Sequence, residues 1–185
     1  MKNLFAFLVP ALCILSATFV SGAEDAVPAA WYETEFPKGV MKAGKRSSSA
    51  NKKQLEVLKG KFVGIYSSAA WCGYCHYFTP QLVDFRKKHA DEFEVVFVSS
   101  DNSEAAMVDY CKKYKMKWLA VPLGSKTKTS LSDGLPGLVV LAPDGSVLHR
   151  MSGASAAMQA KKPDPRFDQL YKKMSDWKKQ HGNAK

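Results

Sequence analysis

Cysteine and histidine are scarce in this chain, with 4 of each among 185 residues. A structural zinc site wants four ligands, and outside one close cysteine pair only a lone cysteine and scattered histidines remain, so no metal site is expected. Nor can the three cysteines that follow the N-terminal leader build the disulfide framework of a small secreted domain. Acidic residues are few as well, 17 against 27 Lys plus Arg. The resulting charge of +10 bears on solubility and non-specific attraction rather than on fold. Only one stretch, at the N-terminus, approaches the apolar length of a membrane span. There is no internal repeat, and at roughly 150 residues per domain there is no room for a second large domain. What is present is a globular composition, 46% hydrophobic and 24% charged, which excludes a disordered chain and a multi-spanning membrane protein.

The first 23 residues read as an export signal. Lys2 is the positive n-region, Leu4 to Val20 is apolar apart from Ser16 and Thr18, and Ser21-Gly22-Ala23 supplies small residues for cleavage. With Pro10 inside it and no stop-transfer cluster after it, the stretch fits a cleaved signal better than an anchor. Cys13 leaves with it. The expectation is a periplasmic or secreted protein with no stable membrane insertion and, being exported, no nucleic-acid partner.

Residues 24–53 carry Pro28, Pro37, Gly39, Gly44 and the run Arg46-Ser47-Ser48-Ser49, and read as an arm or linker partly ordered by Trp31, Tyr32 and Phe36. The domain proper is placed at residues 54–185. Short apolar runs at Phe62–Tyr66, Phe93–Val98 and Gly137–Leu141 have the pattern of strands covered on both faces. Between the first two, Cys75, Phe78, Leu82 and Phe85 share one side of a helix, so the unit is βαβ with parallel strands. Met107, Tyr110, Cys111 and Tyr114 mark a second helix, with Asp101, Asn102 and Ser103 as candidate caps. Pro143-Asp144-Gly145 turns the third strand back into Ser146–Met151. A last helix opens at Asp164-Pro165 and lines up Phe167, Leu170, Tyr171, Met174 and Trp177.

Trp71-Cys72-Gly73-Tyr74-Cys75-His76 lies where a buried strand gives way to a helix. A helix beginning at or just after Cys72 aims free backbone N–H groups and the positive end of its dipole at that sulfur, favouring thiolate over thiol. Cys75 lies further into the apolar stripe, where burial disfavours charge. The pair can therefore divide the work: Cys72 attacks a substrate disulfide, and Cys75 resolves the mixed disulfide.

These residues carry a resemblance that runs from about Leu58 to Trp177. Leu58-Lys59-Gly60-Lys61, Ser68-Ala69-Ala70-Trp71-Cys72, Phe78-Thr79-Pro80-Gln81-Leu82, Phe93 through Asp101, and Trp118-Leu119-Ala120-Val121-Pro122 resemble the thioredoxin-fold superfamily, and within it the tryparedoxin and nucleoredoxin branch. The resemblance implies an α/β, thioredoxin-like fold with a central mixed β-sheet and helices on both faces. It implies Cys72 as nucleophile, Cys75 as resolving thiol, and Pro136, after Leu135, as a cis-proline facing the CxxC. Trp71, Gly73, Tyr74, Leu135 and Pro136 form the expected site rim. The chain departs from the branch in four places. Gly73-Tyr74 followed by His76 replaces two prolines and arginine and is similar to the string of periplasmic disulfide isomerases. Gly137 follows Pro136 where threonine is usual, Gly124 to Gly134 is short, and Tyr66 stands where thioredoxins proper bury an aspartate.

Other readings compete at single residues. CxxCH is also a c-type haem attachment string, but here it interrupts a βαβ unit. A purely structural disulfide across a two-residue gap closes too small a loop to add much stability. Cys111 reads as a buried small hydrophobe, His76 as an exposed helix residue, and the lysines of the last helix as a solvated face. The expected function is thiol–disulfide oxidoreduction without a bound cofactor, by a monomer that takes protein or small-molecule disulfides and is recharged by a dithiol donor. Disulfide isomerase or oxidase activity, and a redox-gated binding module, stay open beside it.

Overall fold

In a computed structural model of the protein the described residues are 30–45, 50–129 and 134–182. The export signal expected at residues 1–23 lies outside them. No helix among the described residues is long and apolar enough to cross a membrane.

The chain runs α1 (Trp31–Glu35), β1 (Met41–Lys42), a 3₁₀ helix (Lys52–Leu58), β2 (Phe62–Ser68), α2 (Cys75–Lys88), β3 (Phe93–Ser99), α3 (Glu104–Lys113), β4 (Leu119–Ala120), β5 (Gly137–Leu141), β6 (Val147–Ser152), α4 (Ala156–Gln159) and α5 (Arg166–His181). The strands form one mixed sheet in the order β1-β4-β3-β2-β5-β6. β2 pairs parallel with β3 and antiparallel with β5. Every residue of β2 is buried, so both sheet faces need cover. Phe62 and Tyr66 look toward α2, α3 and α5, in a cluster with Phe78, Phe97, Met107 and Phe167. Val63 and Ile65 look the other way.

That second face is closed by the segment expected to be an arm. Tyr32, Phe36, Val40, Leu55 and Leu58 pack on Val63, Ile65, Val96 and Val139, and β1 adds an antiparallel edge to β4. The linker reading of residues 24–53 is therefore corrected for its described part, residues 30–45 and 50–53. Their Pro and Gly punctuation masks apolar residues spaced to cap a sheet that no long helix covers on that side. Trp31 fastens the segment to the β5–β6 turn. Its Nε1 donates to the Pro143 carbonyl at 2.9 Å, and its ring lies so close to Gly145, at φ +86°, that a Cβ there would meet Trp31 Cγ at 2.7 Å.

Two smaller corrections concern α5. The helix begins one residue past Pro165, with the Asp164 carboxylate accepting from Arg166 N at 3.1 Å. Tyr171, expected on the buried stripe, is 46% exposed and stacks on His89. The 3.6-residue repeat carries it to the margin of the stripe.

Phe36 is 1% exposed. Phe36→Ala should lower unfolding free energy by about 3 kcal/mol, the usual cost of emptying a buried aromatic site. Urea titration checks this, since a linker residue would cost about 0.5 kcal/mol or less.

Candidate active site

The end of β2 delivers the chain to the redox turn. Ser67 pairs with Gly137, which sets Pro136 beside Ser68 where the chain leaves the sheet. The turn that follows is held from outside: Ala70 N donates to Asp101 Oδ1 at 2.8 Å, and Ser99 Oγ donates to Asp101 Oδ2 at 2.8 Å. Asp101 was expected among the caps of α3. Ser103 does that work instead, accepting from Ala106 N, which leaves Asp101 to fix the approach to the cysteines.

Helix α2 begins at Cys75, not at Cys72. Cys72 belongs to the preceding turn, and its Sγ accepts from Cys75 N at 3.3 Å. The first N–H of the helix is shared between the Cys72 carbonyl at 3.0 Å and the Cys72 sulfur at 3.3 Å, which keeps part of the expected electrostatic support although the helix starts three residues later. Cys72 and Cys75 form a disulfide, with S–S 2.15 Å. Cys72 is 7% exposed and Cys75 is fully buried. A nucleophile entering from solvent reaches the Cys72 side first.

The rim is apolar and open. Trp71 is 63% exposed, with Nε1 donating to the Ser100 carbonyl, and Tyr74 and Tyr77 are exposed beside it. A Cβ built on Gly73 meets nothing within 4 Å, so no neighbour demands glycine there. The Leu135–Pro136 bond is cis. Pro136 is buried, and its carbonyl accepts from Gly153 N at 2.9 Å. From the rim a groove of about 690 Å³ runs between α2, at Tyr77 and Gln81, and the loop carrying Lys161, Lys162 and Asp164.

Behind Cys75 lies a hydroxyl chain that sequence reasoning missed. Thr79 Oγ1 donates to the Cys75 carbonyl at 2.7 Å and lies 2.7 Å from Tyr66 Oη and 2.5 Å from Tyr110 Oη. A hydroxyl has one proton and two lone pairs. With its proton on Cys75 O, Thr79 accepts from both tyrosines, and Ser68 Oγ, 3.0 Å away, donates to Tyr110. Burial pushes the Tyr66 hydroxyl well up and the Tyr110 hydroxyl up, so both stay neutral and serve as donors rather than bases. Pro80, inside α2, has no N–H for the His76 carbonyl. His76 itself is half-buried, and its Nδ1 lies 2.6 Å from Tyr114 Oη; the exposed reading is corrected, because Tyr114 at the end of α3 reaches over it. Cys111 is buried as expected. Desolvation drives its thiol up to about 12, outweighing the backbone hydrogen bond from Gly44. Among the described residues no cluster of metal-binding side chains occurs.

Thr79→Val should take the acceptor from the buried Tyr66 hydroxyl, while Tyr110 can turn its proton to Ser68 Oγ, and cost about 2 kcal/mol, read by denaturation of the oxidised protein. Tyr66→Phe, which removes a donor rather than stranding one, should cost less.

Comparison with known proteins agrees with this geometry. A family model described as Thioredoxin-like matches residues 60–147. Tryparedoxin of Trypanosoma brucei brucei is 38% identical over 105 residues, 52% of this chain and 72% of that protein. Probable nucleoredoxin 1 of Arabidopsis thaliana is 41% identical over 104 residues, but these make up 18% of its length. The chain thus spans a small part of that relative. Among solved structures, tryparedoxin II from C. fasciculata covers 76% of this chain and 93% of its own at 31% identity, with a TM-score of 0.51. Tryparedoxin II complexed with glutathionylspermidine gives 32% identity, 74% and 94% coverage, and the same score. On fold, on the placement of the sulfur pair and on these relatives, the chain belongs to the thioredoxin-like family, in its tryparedoxin and nucleoredoxin branch.

Proposed function

We propose that this protein is an exported thiol–disulfide oxidoreductase that reduces protein or small-molecule disulfides through the Cys72–Cys75 pair. The observation that carries the reading is the asymmetry of the two sulfurs, Cys72 being 7% exposed with its Sγ within reach of a helix N–H, Cys75 fully buried. In the reduced state Cys72 thiolate attacks a substrate disulfide, and one substrate thiolate leaves and takes up a proton. Cys75 then gives up its proton and displaces the second substrate thiol from Cys72, restoring the disulfide. Two electrons pass to the substrate, and an external dithiol returns them.

Family membership supports the reaction class. Export is supported by the basic, apolar and small-residue order of the first 23 residues. The open rim with Trp71 and Tyr74 and the groove along α2 offer room for a polypeptide, so protein disulfides are favoured. Glutathionylspermidine sits on a neighbour of this fold, which supports small disulfides as well. No cofactor enters the cycle, and a monomer contains all of its parts.

Cys72→Ser should abolish insulin reduction driven by a dithiol donor, whereas Cys75→Ser should accumulate mixed disulfides; retained turnover in the first variant would overturn the proposal. In the reduced wild type near neutral pH, iodoacetamide should modify Cys72 alone. With a thiol at about 12, Cys111 is about one part in ten thousand thiolate at pH 8, and it should react only after unfolding.

Direction of electron flow is read from the equilibrium potential of the pair. A value near −270 mV, about that of thioredoxin, fits a reductase. One above about −180 mV would favour the isomerase or oxidase reading that the Gly73-Tyr74-Cys75-His76 string allows.

A further inference from the structure

A second concavity, of about 570 Å³, lies at the other end of α2, between the start of β4, the edge strand β1 and the 3₁₀ helix. Arg86 on its wall is eleven residues beyond Cys75, about 16 Å along the helix axis at 1.5 Å per residue. Nothing in the redox cycle uses it.

Its charge is one-sided. Lys42, Lys45, Lys53 and Lys117 line it, all exposed, and among the described residues none of the four forms an ion pair. The single lining carboxylate, Glu94, is already spent on Arg86, with contacts of 3.1 and 2.6 Å, and on Val95 N at 2.8 Å. Its floor is apolar, with Met116 and Trp118 buried there. Trp118 and one further lining residue, Gln54, carry buried polar atoms with no partner, Trp118 Nε1 and Gln54 Oε1. Buried polar groups are nearly always satisfied, and an indole N–H can only donate. Trp118 is 4% exposed, so its donor lacks a partner on the protein and has little access to bulk water.

We propose that this groove binds a small organic anion, carrying a phosphate or carboxylate group on a flat apolar body. The anionic group sits among the four lysines, close enough for its field to reach the buried Trp118 Nε1–H, and the body lies along Met116 and Val57. Unpaired cations of one sign around a partly desolvated donor select charge, and the volume is that of an ordinary small-ligand pocket. The site stands apart from the proposed redox function, since it is read in the oxidised protein without turnover.

The test uses 1-naphthyl phosphate and 1-naphthoate as probes, with the side-chain N–H signals of the four tryptophans followed by nitrogen-15 NMR. At least one probe should move the Trp118 signal while leaving Trp71 in place. The double variant Lys42→Glu, Lys117→Glu changes only exposed residues, and should weaken binding by about tenfold or more. Raising salt should weaken it in the wild type. A response to the phosphate alone or the carboxylate alone assigns the headgroup within the proposal. If neither probe moves Trp118, if the charge-reversed protein binds equally well, or if only an oligoglutamate peptide binds, the proposal is overturned.

Discussion

A strand with no solvent-facing side governs this molecule. Because every residue of β2 is buried, material must be packed above and below it, and the chain supplies α2, α3 and α5 on one side and the N-terminal segment on the other. Parallel pairing with β3 then requires a crossover, and α2 is that crossover. The turn joining β2 to α2 emerges at the end of the strand, where it carries Cys72 and hands over to Cys75, the first residue of α2. The chemistry lies at the end of the strand because its sides are covered.

The same economy explains how the site does without the buried carboxylate of thioredoxins proper. Tyr66 projects from the covered strand toward α2, and its hydroxyl ends in the Thr79 and Tyr110 chain that terminates on the Cys75 carbonyl. A row of neutral donors costs less to bury than an ion. It orients the first turn of the helix without adding negative charge beside the resolving sulfur.

Periodicity exposed the elements whose burial is regular. The three central strands, the apolar stripes of α2 and α3 and most of α5 are legible because each repeats one side-chain character at the spacing of its backbone. The short elements between Trp31 and Leu58 were not, since α1 has five residues, β1 two and the 3₁₀ helix seven, too few to repeat a pattern more than about twice, and the prolines and glycines around them resemble a linker. The sulfur pair was plain from its spacing alone. Asp101 was obscured because a polar residue before a helix looks like a cap whether or not it is one, and the Thr79 chain was obscured because its members stand on three different elements. Tyr171 shows the opposite error: a stripe read one residue too wide around the helix, since Leu170 before it and Met174 after it are buried while Tyr171 lies at the margin.

The clasp of Trp31 over Gly145 decides which way the molecule faces. The β5–β6 turn lies at the end of the sheet where β2 begins, and the cysteines lie where β2 ends. A scaffold, bead or bilayer joined ahead of Trp31 would therefore meet the domain at one pole, while Cys72 and the exposed Trp71 beside it lie at the other.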